Sequence, residues 1–145
     1  MVASFRAKSI QKYPLLALNL AFYGRRRVGK IFLVNSFFNN QYAFKLTGLS
    51  KKSKSEQLSN FSNSLNNQCG SKAYRKPRTW YEAFDQLRAF LQKKSQSKKE
   101  LYSYAIDELP WMDTRGGNLI SALEHFWNDW ASVQKDIILV VCGSA

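Results

Sequence analysis

Gly24-Arg25-Arg26-Arg27-Val28-Gly29-Lys30-Ile31 separates two glycines by four residues and follows the second with lysine. Glycines let the backbone curl until successive N–H groups face inward, and a lysine just behind them reaches the outer phosphates of a nucleotide. The spacing is that of a phosphate-binding loop, with Gly24, Arg27, Val28, Gly29, Lys30 and Ile31 as candidate nucleotide contacts. Such a loop needs a carboxylate at a neighbouring strand end to hold magnesium through water. The apolar run 101–106 supplies it by ending in Asp107-Glu108: Asp107 would orient the metal and Glu108 would polarise an attacking water. One position breaks the pattern. Ile31 stands where phosphate loops carry Ser or Thr, and a branched hydrocarbon offers no lone pair to a hard cation. The site is expected to cradle the phosphates of a nucleotide while its use of Mg2+ is weakened.

For these residues to meet, each must stand at a strand end or a helix start. Residues 15–23 form a short apolar run closed by Gly24, without a helical stripe, which reads as a strand buried on both faces. A helix from Lys30 would align Ile31, Val34, Phe37 and Phe38 and stop at Asn39-Asn40. Residues 42–46 read as a second strand closed by Gly48, and the Lys/Ser stretch 50–55 as a loop. Residues 56–66 place Leu58, Phe61 and Leu65 on one helical face, and 66–78 read as a polar, flexible loop. Thr79 can cap the next helix, Glu82 completing a capping box, with Trp80, Phe84, Leu87 and Leu91 as its apolar stripe. Residues 101–106 are the third strand, and 110–117 a turn in which Trp111 and Met112 serve packing. Asn118 then caps a helix that buries Leu119, Leu123, Phe126, Trp127 and Trp130 and leaves His125 exposed and inert. Residues 137–141 are the most β-prone segment, with Gly143 and Ser144 just beyond its end. Strands alternating with helices predict an α/β fold with a parallel sheet.

Composition sets the outer bounds. With 145 residues, 45% apolar and 14% aromatic, the chain can bury one core and is not a solvated, disordered segment. The net charge of +12 is uneven: residues 1–55 carry 11 bases and no acid, whereas 100–145 carry 7 acids and 2 bases. A polyanion partner follows, either nucleic acid, a membrane surface or a nucleotide. Lys51, Lys52, Lys54, Lys72, Arg75, Lys76 and Arg78 cluster near Tyr74 and Trp80, a combination that either grips single-stranded nucleic acid or is a solvated surface. Cys69, Cys142 and the single His125 indicate neither a disulfide framework nor a zinc site, and the thiols suit a cytoplasmic protein. No uncharged run reaches the roughly 18 residues of a membrane span. The basic N-terminus lacks the cleavage site of a signal peptide.

Three segments, Tyr23 to Lys30, Ile106 to Met112 and Val140 to Ala145, resemble the phosphate loop, acidic strand end and polar strand end of the prokaryotic AAA-type (archaeal-type) P-loop ATPases. The resemblance covers about residues 15–145, leaving 1–14 as an N-terminal segment without a match. It implies a RecA-like P-loop NTPase three-layer sandwich with sheet order 5-1-4-3-2, ATP with Mg2+, ATP hydrolysis, and Ser144 as the polar residue facing the γ-phosphate or the attacking water. Besides Ile31, two departures bear on function. Residues 1–14 lack the Gly-Arg-x-x-Glu box that positions adenine, and the sequence stops after the fourth strand. A core incomplete at its C-terminus would leave the first strand as an unpaired apolar edge, open to self-association or a partner chain. The expectation is a partial ATPase core, over 15–145, that binds ATP and hydrolyses it poorly. A basic nucleic-acid-binding protein on a degenerate nucleotide fold, or a non-functional remnant, stands as the alternative.

Overall fold

The computed structural model of the chain describes residues 4–5, 18–24, 42–97, 102–134 and 137–144. In chain order these form β1 (Ser4–Phe5), β2 (Leu18–Gly24), β3 (Phe44–Thr47), α1 (Lys54–Cys69), α2 (Trp80–Ser97), β4 (Tyr102–Asp107), a one-turn α3 (Leu109–Met112), α4 (Leu119–Asp129), a 3-10 turn (Ala131–Val133) and β5 (Ile137–Ser144). The strands make one sheet in the order β1-β2-β5-β4-β3. β2, β5, β4 and β3 run parallel, and β1 lies antiparallel on β2. The four parallel strands therefore stand in the expected order. The first of them is not a wholly open edge, because β1 turns back onto its end and pairs Ser4 with Tyr23 and Phe5 with Phe22.

β5 lies between two parallel neighbours, which explains its unbroken apolar sequence. Ile137, Leu139 and Val141 belong to the core formed with the helices, and the alternate residues Ile138 and Val140 are buried as well, so both faces of the sheet are covered there. The strand continues through Gly143 and Ser144, residues expected to lie beyond it, because β2 keeps pairing to Gly24. On the helical side an aromatic chain joins the layers. Phe44 of β3 meets Phe61 of α1 at 5.5 Å between ring centroids. Phe61 meets Trp80 and Phe84 of α2 at 6.1 and 6.4 Å, and Phe84 meets Phe126 of α4 at 5.3 Å.

Local chemistry fixes the helix ends. Ser53 Oγ accepts the Glu56 N–H at 3.2 Å, a side-chain N-cap inside the stretch expected to be loop, so α1 starts at Lys54. The helix outruns the expected 56–66 and ends at Cys69, where Gly70 takes the left-handed conformation at φ 73°. Thr79 Oγ1 accepts the Glu82 N–H at 3.1 Å, the cap expected for α2. Asn118 occupies the cap position of α4 without using its side chain; at φ 59° its carbonyl takes the Ala122 N–H at 3.0 Å. The expected turn at 110–117 opens with α3, in which Pro110 occupies a first-turn position that needs no N–H donor.

The β3-to-β4 crossover has a consequence for position. Asn60 Nδ2 donates to the Thr47 carbonyl at 2.7 Å, and Gln68 bonds the backbone of Lys45, so α1 runs back along β3 and its N-terminus projects past the strand's carboxyl end. Residues 70–79 then return along α1: Asn66 holds the N–H and C=O of Tyr74 at 3.0 and 2.7 Å, and Lys76 reaches Ser55. α2 consequently starts beside the start of α1.

Candidate functional site

Parallel register brings three sequence-predicted site residues to one end of the sheet. Gly24, last in β2, pairs with Ser144, last in β5, while Asp107 closes β4 one residue beyond Ile106, the partner of Val141. At about 4.8 Å per strand, Gly24 and Asp107 are offset by about 10 Å across the sheet on either side of β5, and Gly24 shares the level of Ser144. Ser144 projects roughly 7 Å further along β5 than the level of Asp107. The crevice outside the carboxyl ends of such strands is where open α/β folds take their ligands. Arg27, Val28, Gly29, Lys30 and Ile31, and the helix expected from Lys30, lie outside the described residues. Ser144 is placed by its backbone.

The Asp107-Glu108 corner is built tightly. Asp107 Oδ1 accepts the Glu108 N–H at 3.0 Å, which orients the carboxylate, and the Asp107 carbonyl accepts the Gly48 N–H at 2.9 Å. Glu108 sits at φ 53°, ψ 44°, a left-handed conformation that costs an L-residue about 1–2 kcal/mol. That bend lets the Glu108 carbonyl accept the Trp111 N–H at 3.1 Å and start α3. Both side chains are half-buried. Gly48 passes so close that a Cβ there would lie 2.5 Å from the Glu108 carbonyl oxygen and 2.8 Å from Met112 Cγ. The glycine expected merely to end a strand is the one residue the corner tolerates.

Gln57 was not foreseen. It is 1% exposed, and its amide accepts the Leu49 N–H at 3.0 Å while donating to the Leu49 carbonyl at 2.6 Å and the Trp111 carbonyl at 3.1 Å. One side chain thus ties the loop after β3 to the turn that carries Glu108. The signal was present: Gln57 precedes Phe61 by one helical turn and stands in the same stripe as Leu58, Phe61 and Leu65.

Among solved structures, the Walker-type ATPase Paby2304 of Pyrococcus abyssi is similar to this chain, with a TM-score of 0.53 and 17% identity over 94% of this chain and 42% of that one. The likeness supports a partial RecA-like α/β fold for this chain. It spans less than half the length of that ATPase. No family model and no curated protein matches the sequence. Set in the Walker-type fold, the four parallel strands, with β1 added beyond β2, form a partial RecA-like sheet.

Other sequence-singled residues fall outside this corner. Trp80 is fully buried against Phe61 and Phe84, as its place in the apolar stripe of α2 predicts, so it offers no stacking surface beside the basic cluster. His125 is exposed, its ring 6.0 Å from that of Tyr81. Trp111 is half-buried and Met112 buried, the packing role expected of them. Among the described residues no helix is long and apolar enough to cross a membrane.

Proposed function

We propose that the chain binds ATP at the carboxyl ends of β2, β5 and β4, as a nucleotide-binding portion of an ATPase of the AAA type. One juxtaposition carries the reading: the strand that opens into the GxxxxGK loop and the strand that ends in Asp107-Glu108 flank β5, whose end carries Ser144. Backbone N–H groups of the loop and Lys30 would hold the phosphates. The donor set suits magnesium, which takes one or two carboxylates together with substrate phosphates. Asp107 would hold the ion, which when bound offsets phosphate charge, and Glu108 would orient water beside Ser144. Ile31 withholds the hydroxyl that completes the metal's ligands, so this chain retains nucleotide better than it hydrolyses it.

Titration with a fluorescent ATP analogue, with and without Mg2+, tests the reading. Binding at or below about 1 mM is expected, a Lys30→Ala variant should lose it, and magnesium should change it little. Ile31→Thr should restore a magnesium dependence of roughly tenfold, about 1.4 kcal/mol. No binding at that concentration would refute the assignment.

A further inference from the structure

The basic cluster has an address separate from the strand-end site. Lys54, Ser55 and Leu58 of α1 and Lys76, Pro77 and Arg78 of the returning segment line a cleft of about 470 Å3. Lys54 lies six residues before Asn60, the partner of Thr47, so at about 1.5 Å per residue the cleft stands about 9 Å beyond that contact, toward the carboxyl end of the sheet. Of the nearby acids, Glu56 pairs with Lys52 at 3.5 Å, and Glu82, which takes Arg75 at 3.2 Å and the Arg78 N–H at 2.9 Å, is close enough for its charge to act on Arg78 as well. Among the described residues no carboxylate forms an ion pair with Lys54, Lys76 or Arg78.

We propose that this cleft binds the sugar-phosphate backbone of single-stranded nucleic acid, with Lys54, Lys76 and Arg78 as its phosphate contacts. Three cations come from two chain segments and line a cleft, an arrangement that suits a row of phosphates better than one compact anion. Lys76 Nζ donates to Ser55 Oγ at 2.6 Å and so ties the two segments together, and a cleft of about 470 Å3 takes a stretch of one strand rather than a duplex. Leu58 and Pro77, both buried, form the cleft's apolar floor. With Trp80 buried, affinity rests on phosphates rather than stacking, so sequence preference should be weak and salt dependence strong. The large hydrophobics exposed among the described residues, Tyr81, Ile120 and Val133, do not line the cleft, which argues against a membrane surface. The site uses no residue of the strand-end site and stands or falls independently of ATP binding.

Fluorescence anisotropy with a labelled single-stranded oligonucleotide of about 20 nucleotides tests it. At about 0.7 counterion per contact, three contacts give a slope near 2, so affinity should fall about 16-fold between about 50 and 200 mM salt. Lys54→Gln/Lys76→Gln/Arg78→Gln should bind at least about tenfold more weakly and lower the slope by about 2. Lys72→Gln/Lys93→Gln/Arg115→Gln removes the same charge from exposed positions outside the cleft and should stay within about twofold of the parent. Unchanged thermal unfolding of both variants would show that the fold is intact. Equal losses in the two variants, tighter binding of a duplex, binding of anionic lipid vesicles that depends on the same three residues, or no binding by the parent chain would each overturn the proposal.

Discussion

Replacing Gln57 with Leu keeps the side chain's volume and removes its amide. Three backbone groups then lose their partner: the Leu49 N–H, the Leu49 carbonyl and the Trp111 carbonyl. Each orphaned buried group costs about 1–3 kcal/mol, carbonyls at the lower end because they keep a second lone pair. Leu49 and Trp111 are only half-buried, so water recovers part of the loss, and a net destabilisation of about 3 kcal/mol is expected. For a domain of this size that lowers the melting temperature by about 10 °C. Gln57→Glu separates hydrogen bonding from packing. Its carboxylate still accepts the Leu49 N–H but faces two carbonyls, so at neutral pH it should be worse than Leu and should recover as acid protonates it. Thermal unfolding at two pH values, with exchange of the Leu49 amide hydrogen as a local probe, reads both effects. A Leu variant within about 1 kcal/mol of the parent, or a Glu variant indifferent to pH, would refute the view that this amide anchors the Asp107-Glu108 corner.

Gly48→Ala puts a Cβ 2.5 Å from the Glu108 carbonyl oxygen, a backbone atom that must move, so a loss of about 1–3 kcal/mol and a fall in nucleotide affinity are expected together in denaturant unfolding and ATP titration. Glu108→Gly removes the left-handed penalty and adds unfolded-state entropy, leaving about 0.5–1 kcal/mol of net stabilisation by chemical denaturation, while any ATP turnover should disappear. The Glu82 carboxyl is held below its ordinary range first by the Arg78 N–H and then by Arg75, so its charged form is favoured on folding. That stabilisation is present above the unfolded carboxyl value of about 4.3 and fades as pH falls through the lower folded value; Glu82→Gln should differ from the parent at neutral pH and converge with it in acid unfolding curves.

Much of the architecture was legible because local rules and tertiary packing agree. The 137–141 run is apolar at every position since β5 is covered on both faces, and Thr79 caps α2 in the way its spacing with Glu82 requires. The placement of Gly24 and Asp107 at strand ends was legible for the same reason: both close apolar runs that pair with β5. What stayed hidden depends on contacts between distant segments. Gly48 reads as a strand terminator until the Glu108 carbonyl, 60 positions later, is placed against it.

The largest omission was the role of the amides in α1, a helix expected over 56–66 with Leu58, Phe61 and Leu65 on one face and running into a polar loop. Asn and Gln differ from charged residues in carrying a donor and an acceptor on one planar group, which matches the N–H and C=O of a single residue. Three of its amides use this match: Gln57 on Leu49, Asn66 on Tyr74 and Gln68 on Lys45, the last at 2.7 and 2.8 Å. Lys45 and Thr47 face outward from the edge strand β3, and Gln68 and Asn60 occupy backbone groups that a further strand would otherwise bond. One helix therefore closes that sheet edge, fixes the loop behind the acidic corner and tethers the segment that carries Lys76 and Arg78. A lysine or glutamate at any of these three bidentate positions could serve only one half of its pair. That is why the helix tolerates low hydrophobicity, and why its polar residues are structural rather than solvating.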